Sequence, residues 1–240
     1  MSSDAQIQQV GSGSNDVIIV QVDPTMQAAR ASLRPLEWVG AGPSGTPIGG
    51  HFRAAFSYSN TAAKPAATST ILSLRNADPT KLFVLKRLIL WLGTTTGYSA
   101  ALAQDAALWK VTGFVANDSA GTALAASAGQ NQRLYTSKMG ACGLTASGPI
   151  WGWASSGDAV TAGTRTADTY PLGYAIWTNP TAAGGVQGPF NLFDLASAGD
   201  MPIVCGQNEG IVVTTPIGNA QAAGVSKWSF FVDWAEVTSF

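Results

Sequence analysis

Short apolar runs divided by glycine, proline and asparagine predict an all-β protein: an antiparallel β-sandwich, jelly-roll-like, behind an extended irregular N-terminal arm. Two further observations agree. No amphipathic stretch runs beyond about three helical turns, and no period of about 20–50 residues repeats along the chain. The 240 residues divide into an irregular arm over 1–57 and a sandwich over 58–240.

The arm is rich in Gly, Pro, Ser and Gln, with one β-type run at Val17–Val22 (VIIVQV). Pro24, Pro35, Pro43 and Pro47 exclude a long helix, because proline lacks the N–H and clashes with the preceding turn. Gln27–Leu33 (QAARASL) fits one short helical turn. With no charge run to keep it solvated, the arm is expected to lie on a neighbouring subunit.

From Thr70 the pattern turns to strands. Ser69–Arg75 (STILSLR) alternates apolar and polar residues, as a half-buried strand does. Asn76, Asp78 and Pro79 supply turn chemistry. Leu82–Leu92 reads as a strand buried on both faces, or as one bent at Lys86–Arg87. Ala106–Val115 is a third strand-like run. Gly97–Leu108 fits either a short helix or a bulge, since Leu102–Asp105 has fair helix propensity. Asn117–Leu134, with little to bury, reads as a surface loop with a short helical piece near Leu124. Ile150–Trp153, Tyr174–Trp177, Pro189–Asp194 and Met201–Cys205 are short β candidates, and Ile211–Thr215 follows a tight turn at Gln207–Gly210. In Ser226–Val237, Phe231, Asp233, Ala235 and Val237 share one face, opposite Val232, Trp234 and Glu236.

Composition excludes several functions. Thirteen Lys or Arg against 14 Asp or Glu leave a net charge of −1, and charged residues are 11% of the chain, against roughly a quarter in an ordinary domain. That is no electrostatic footprint for nucleic acid. The most apolar run, Leu82–Leu92, is interrupted by Lys86 and Arg87 and is shorter than the ~20 residues a membrane helix needs, so no membrane partner is expected. No secretory signal opens the sequence. Cys142 and Cys205 form no CxxC pair and read as buried or half-buried free thiols.

Catalytic groups are sparse. The single histidine, His51, lies in GGHFR, and no GxSxG elbow accompanies it. The acids Asp105, Asp118, Asp158, Asp168, Asp194 and Asp200 are scattered, without metal-ligand spacing. No phosphate-binding glycine loop occurs. No catalytic residue, metal site or cofactor is therefore assigned, and no enzyme is expected. The 8 tryptophans fit core, interface or sugar-stacking roles. Trp91, Trp109, Trp228 and Trp234 lie in strand-like runs and read as core. Trp151, Trp153 and Trp177 flank loop-rich segments and read as interface anchors, with Phe190 and, in the arm, Pro43 and Ile48.

Leu74–Arg87 (LRNADPTKLFVLKR), Ala106–Leu134 ending AGQNQRL, and the tail CGQNEGIVV…WSFFVDWAEV are similar to a family of tailed-bacteriophage virion structural proteins of the capsid cement or head-decoration type. The likeness rests on Arg75, Asn76 and Lys81 of one turn, the segment opening Gly113-Phe114, the turn Gln207–Gly210, and Trp234–Val237. It implies a structural protein of the capsid surface, assembled in the host cytoplasm. It would bind the major capsid protein or other virion proteins and itself, as a homo-oligomer and most simply a trimer. The competing expectation is a carbohydrate-binding or receptor-binding fibre or tail module that uses exposed tryptophans.

Overall fold

The computed structural model describes residues 21–22, 29–30, 50–60, 67–76, 78–115, 122–124, 150–152, 164–197, 201–218, 221 and 223–237. Fourteen strands and no helix occur among them: β1 (Gln21–Val22), β2 (Ala29–Arg30), β3 (Gly50–Asn60), β4 (Ser69–Asn76), β5 (Leu82–Thr96), β6 (Ala103–Thr112), β7 (Thr122–Leu124), β8 (Ile150–Gly152), β9 (Thr166–Ala167), β10 (Gly173–Thr178), β11 (Val186–Asp194), β12 (Ile203–Cys205), β13 (Glu209–Thr215) and β14 (Val225–Val237). Among the described residues no helix is long and apolar enough to cross a membrane.

Two antiparallel sheets pack face to face. One is ordered β10-β6-β13-β4-β8-β7, with β9 beside β6; the other is β11-β5-β14-β3, with β12 beside β5. Set the short strands aside and number the eight long ones, β3, β4, β5, β6, β10, β11, β13 and β14, in chain order. The sheets then read 5-4-7-2 and 6-3-8-1. The chain steps from sheet to sheet at every connection except β6 to β10, which is the path of a jelly roll.

The inward faces explain the stacking. Leu72, Leu74, Leu108, Ile211 and Val213 of the first sheet meet Leu85, Leu88, Leu90, Val232 and Trp234 of the second in one cluster. Trp234 stacks on Phe52 at 5.7 Å and lies 6.3 Å from Phe83; such ring pairs add about 0.5–1.5 kcal/mol beyond the area they bury. In β14, Val232 and Trp234 face this core, as the alternation predicts.

Several expectations change. β3 begins at Gly50 and pairs along its length with β14, so the sandwich takes in residues that the sequence reading gave to the arm. Ala29–Arg30 pairs with Gln21–Val22 as a strand rather than turning as a helix. Leu102–Asp105 is not helical either: Ala103 opens β6, where the ladder to β10 outweighs helix propensity. Thr122–Leu124 is a strand beside β8, not a helical piece. Of the two readings of Leu82–Leu92, the bend holds: Asp233 pairs with Arg87 and Trp234 with Leu85, so Lys86 is the extra residue of a bulge.

Candidate functional site

The turn residues Arg75, Asn76 and Lys81, the segment at Gly113-Phe114 and the turn Gln207–Gly210 converge in space, where their contacts hold the fold together. The Arg75 guanidinium donates to Asn208 Oδ1 at 2.6 Å and lies 5.9 Å from the Phe114 ring centre. The Phe114 N–H donates to the Asn208 carbonyl, and the Asn208 N–H to that of Asn76. The Asn76 carboxamide donates to the carbonyls of Lys81 and Cys205, and its oxygen accepts from the Asp78 N–H. Asp78 Oδ1 in turn accepts from the N–H groups of Thr80 and Lys81, which closes the turn.

Asn208 has φ 61°, a left-handed conformation that asparagine tolerates better than most residues. At Gly210 any Cβ would meet the Leu74 carbonyl oxygen at 2.0 Å. Lys110 and Glu209 pair at 3.3 Å beside this knot. The motif residues therefore lock β4, β6, β12 and β13 together at one end of the sandwich.

Acids elsewhere are similarly engaged. Asp233 pairs with Arg53 at 3.2 Å and Asp194 with Arg87 at 3.4 Å; Glu236 accepts from Trp234 Nε1 at 3.0 Å. Among the described residues no three His, Cys, Asp or Glu gather as a metal site. Cys205 is a free, buried thiol, and burial pushes its pKa up to about 12. Cys142 lies outside the described residues.

The anchors expected from the sequence do not assemble into one surface. Trp177 is 8% exposed and sits inside the sandwich, 5.4 Å edge-on from Trp228 and 5.5 Å from Phe190. It is core, because β10 turns odd-numbered side chains inward. Phe190 is half-buried against the same cluster. Trp151 pairs by backbone with Ser73 of β4 and Ala123 of β7. Trp153, Pro43 and Ile48 lie outside the described residues. Of the tryptophans read as core, Trp228 and Trp234 are, whereas Trp91 is half-buried and Trp109 is half-buried over a satellite cluster of Val111, Phe114 and Val212.

A different surface emerges on β10. Its burial alternates residue by residue, so Ala175 and Trp177 point inward while Tyr174, Ile176 and Thr178 point out. Ile176 lies opposite Asp105 of β6 in the ladder. Asp105 is 0% exposed, yet both its oxygens are bonded. Oδ2 accepts from the Tyr174 hydroxyl, and Oδ1 from the Ile217 N–H at 2.9 Å. The Leu102 carbonyl accepts from the Asn179 N–H at 3.0 Å, and the Leu172 N–H donates to Leu108 at 2.7 Å.

These bonds set Leu102, Leu172, Tyr174, Ile176 and Ile217 along β10, the edge strand that forms a corner of the first sheet, with Leu172 near one end of the strand and Leu102 near the other. All five are exposed, from 46% for Leu172 to 57% for Ile176. None carries a charge, and the one carboxylate beneath them is capped. The hydrogen bond to Asp105, then burial and the carboxylate's charge, push the Tyr174 phenol up to about 12. It therefore remains a donor through the neutral range.

The corner is held firmly. A Cβ at Gly173 would meet the Leu192 carbonyl oxygen at 1.8 Å, so glycine lets β10 lie directly on β11 where the two sheets meet. Sequence reasoning passed this surface over. Its signal was present in GYAIWT, a strand with large apolar residues on both parities, opposite a lone aspartate.

No protein-family model matches the chain, and no curated protein matches it.

Proposed function

We propose that this chain is a structural protein of a tailed-bacteriophage virion, a capsid cement or decoration protein that binds the outer shell as a homo-oligomer. The observation that carries the reading is the uncharged apolar corner of β10 on a jelly roll whose motif turns serve only the fold. A protein present in many copies on a particle gains its stability from repeated packing, and such a surface is suited to being covered. The site offers no paired acids and no nucleophile beside a base, so its chemistry is recognition by shape and burial. Both shell proteins and further copies of itself are partners in this reading, and its place is the capsid surface, reached after assembly in the host cytoplasm.

The mechanism is linkage. A protein that binds the assembled shell and not free subunits stabilises the shell by RT ln(1 + [L]/Kd), about 2.7 kcal/mol at a hundredfold excess over Kd. The test compares particles with and without the protein under heating and low salt, alongside its copy number per virion. Bare particles that break open earlier, with hundreds of copies on complete ones, support the reading; equal resistance of the two, or absence from the virion, overturns it. Exposed Tyr170 and Tyr174 are the observation that favours the carbohydrate-binding alternative. Specific glycan binding that Tyr174→Ala abolishes would put that reading in its place.

A further inference from the structure

We infer that the β10 corner is the self-association surface of this protein, and that its occupant is the same corner of a second copy. The inference deepens the reading above, on which it rests, by naming the partner of that site.

Size is the first argument. With a large apolar residue at about 200 Å² when fully exposed, five residues near half exposure present about 500 Å². The total is distributed along the length of β10. It is also well over half of the about 800 Å² that each partner contributes to a standard interface. The exposed Thr178 at the end of the strand adds a polar group to its rim.

Charge is the second argument. A surface meets its own copy across a twofold axis, so any uncompensated charge on it would face its like. This corner avoids that conflict: Leu102, Leu172, Tyr174, Ile176 and Ile217 are neutral, and Asp105 lies fully buried below them with both oxygens bonded. The contrast with the opposite sheet is direct. There Arg53 on β3 and Asp233 on β14 form an ion pair, and the Arg53 guanidinium stands 4.8 Å from the Phe231 ring centre. That face is dressed for water, and the β10 corner is not. A rigid backbone completes the case, because Gly173 locks β10 onto β11 and the patch needs little ordering on contact.

Sedimentation of the full chain over a range of concentrations tests this, comparing the parent with Ile176→Asp and Leu172→Ser. The parent is expected to self-associate, and each variant to weaken that association by about tenfold or more. Circular dichroism and unfolding midpoints should be unchanged, since both side chains are exposed. Ile176→Cys should oxidise to a disulfide-linked dimer at protein concentrations where Val186→Cys, the more exposed position on β11, does not. A parent that stays monomeric at the highest concentration, variants that associate as the parent does, or equal cross-linking at the two cysteines overturns the inference. If the protein is abundant in virions and yet monomeric, only this inference fails; if it self-associates but is absent from virions, only the virion reading does.

Discussion

Replacing Asp105 by alanine is the sharpest test of how the candidate surface is built. The carboxylate is fully buried and accepts two bonds, from the Tyr174 hydroxyl and the Ile217 N–H. Hydrogen bonds to a charged group contribute about 1.5–3 kcal/mol each. Part of that sum offsets the cost of burying the charge, a cost the variant no longer bears. The net loss expected for Asp105→Ala is about 3 kcal/mol, from the unsatisfied Ile217 N–H, the freed phenol and the small cavity left behind. In a chain of this size that lowers the melting temperature by about 6–12 °C. Tyr174→Phe alone should cost about 1 kcal/mol, because its bond to Asp105 is only partly buried. Combined with Asp105→Ala it should cost almost nothing more, leaving a coupling energy of about 1 kcal/mol in a double-mutant cycle. Urea unfolding of the four proteins, at concentrations low enough to keep them monomeric, measures each term. Loss of less than about 0.5 kcal/mol for Asp105→Ala, or simple additivity in the cycle, would refute the argument that this carboxylate pins the corner together.

Two further outcomes follow from the same geometry. Trp177→Ala should destabilise the isolated chain by about 3–5 kcal/mol, because the indole packs between Trp228 and Phe190; an unchanged urea midpoint with weakened self-association would return it to the surface. The Tyr174 phenol, held up to about 12 against an ordinary 10, stabilises the fold fully below pH 10, and that contribution is lost as pH rises towards 12. Tyr174→Phe should remove one late step from the alkaline tyrosinate absorbance titration, and its stability gap from the parent should close over that window; a titration identical to the parent's contradicts the bond to Asp105.

The fold was legible where local pattern and pairing agree. Ser69–Arg75, Ile211–Thr215 and the C-terminal run are dense in β-branched and aromatic residues between turn signals, so strand type was legible although apolar residues stand on both parities, Ile71 beside Leu72 and Val212 beside Val213. The charged pair at Lys86–Arg87 marked the bend in β5 because two long cations cannot both turn inward in an otherwise apolar run. Leu102–Asp105 misled because helix propensity is a local quantity, whereas Ala103 and Gln104 gain their partners from residues more than 70 positions away, Thr178 and Trp177. β10 exposed a deeper limit. Tyr174, Ile176 and Trp177 are all large and mostly apolar, so the strand reads alike on both faces. Only the partner sheet decides that Trp177 enters the core and Ile176 does not. Asp105 was invisible for a related reason: a lone acid in a strand looks like any scattered surface carboxylate until the fold buries it.

The low charge of the chain then takes on a definite geometry. Twenty-seven charged residues, 13 cations and 14 anions, serve 240 positions, and the ion pairs of the described residues lie away from β10. Arg53–Asp233 and Arg87–Asp194 dress the second sheet, and Lys110–Glu209 closes the knot at one end of the first. A thin but even spread of charge would leave each face with some claim on water. Here Leu102, Leu172, Tyr174, Ile176 and Ile217 carry none, and the charge buried beneath them is spent internally on holding Tyr174 and the Ile217 backbone in place. A buried carboxylate that orders an apolar surface is an expensive arrangement if that surface only faces solvent, where mobile side chains would serve as well. It is economical if the surface must be presented in one shape, repeatedly, to an identical or fixed partner, because the ordering entropy is then lost on folding and not on binding. On the self-association reading, the placement of Asp105, more than the apolar residues above it, is what distinguishes this surface from a chance patch. The loss of self-association should accordingly track the loss of this carboxylate's bonds even where every apolar side chain of the corner remains.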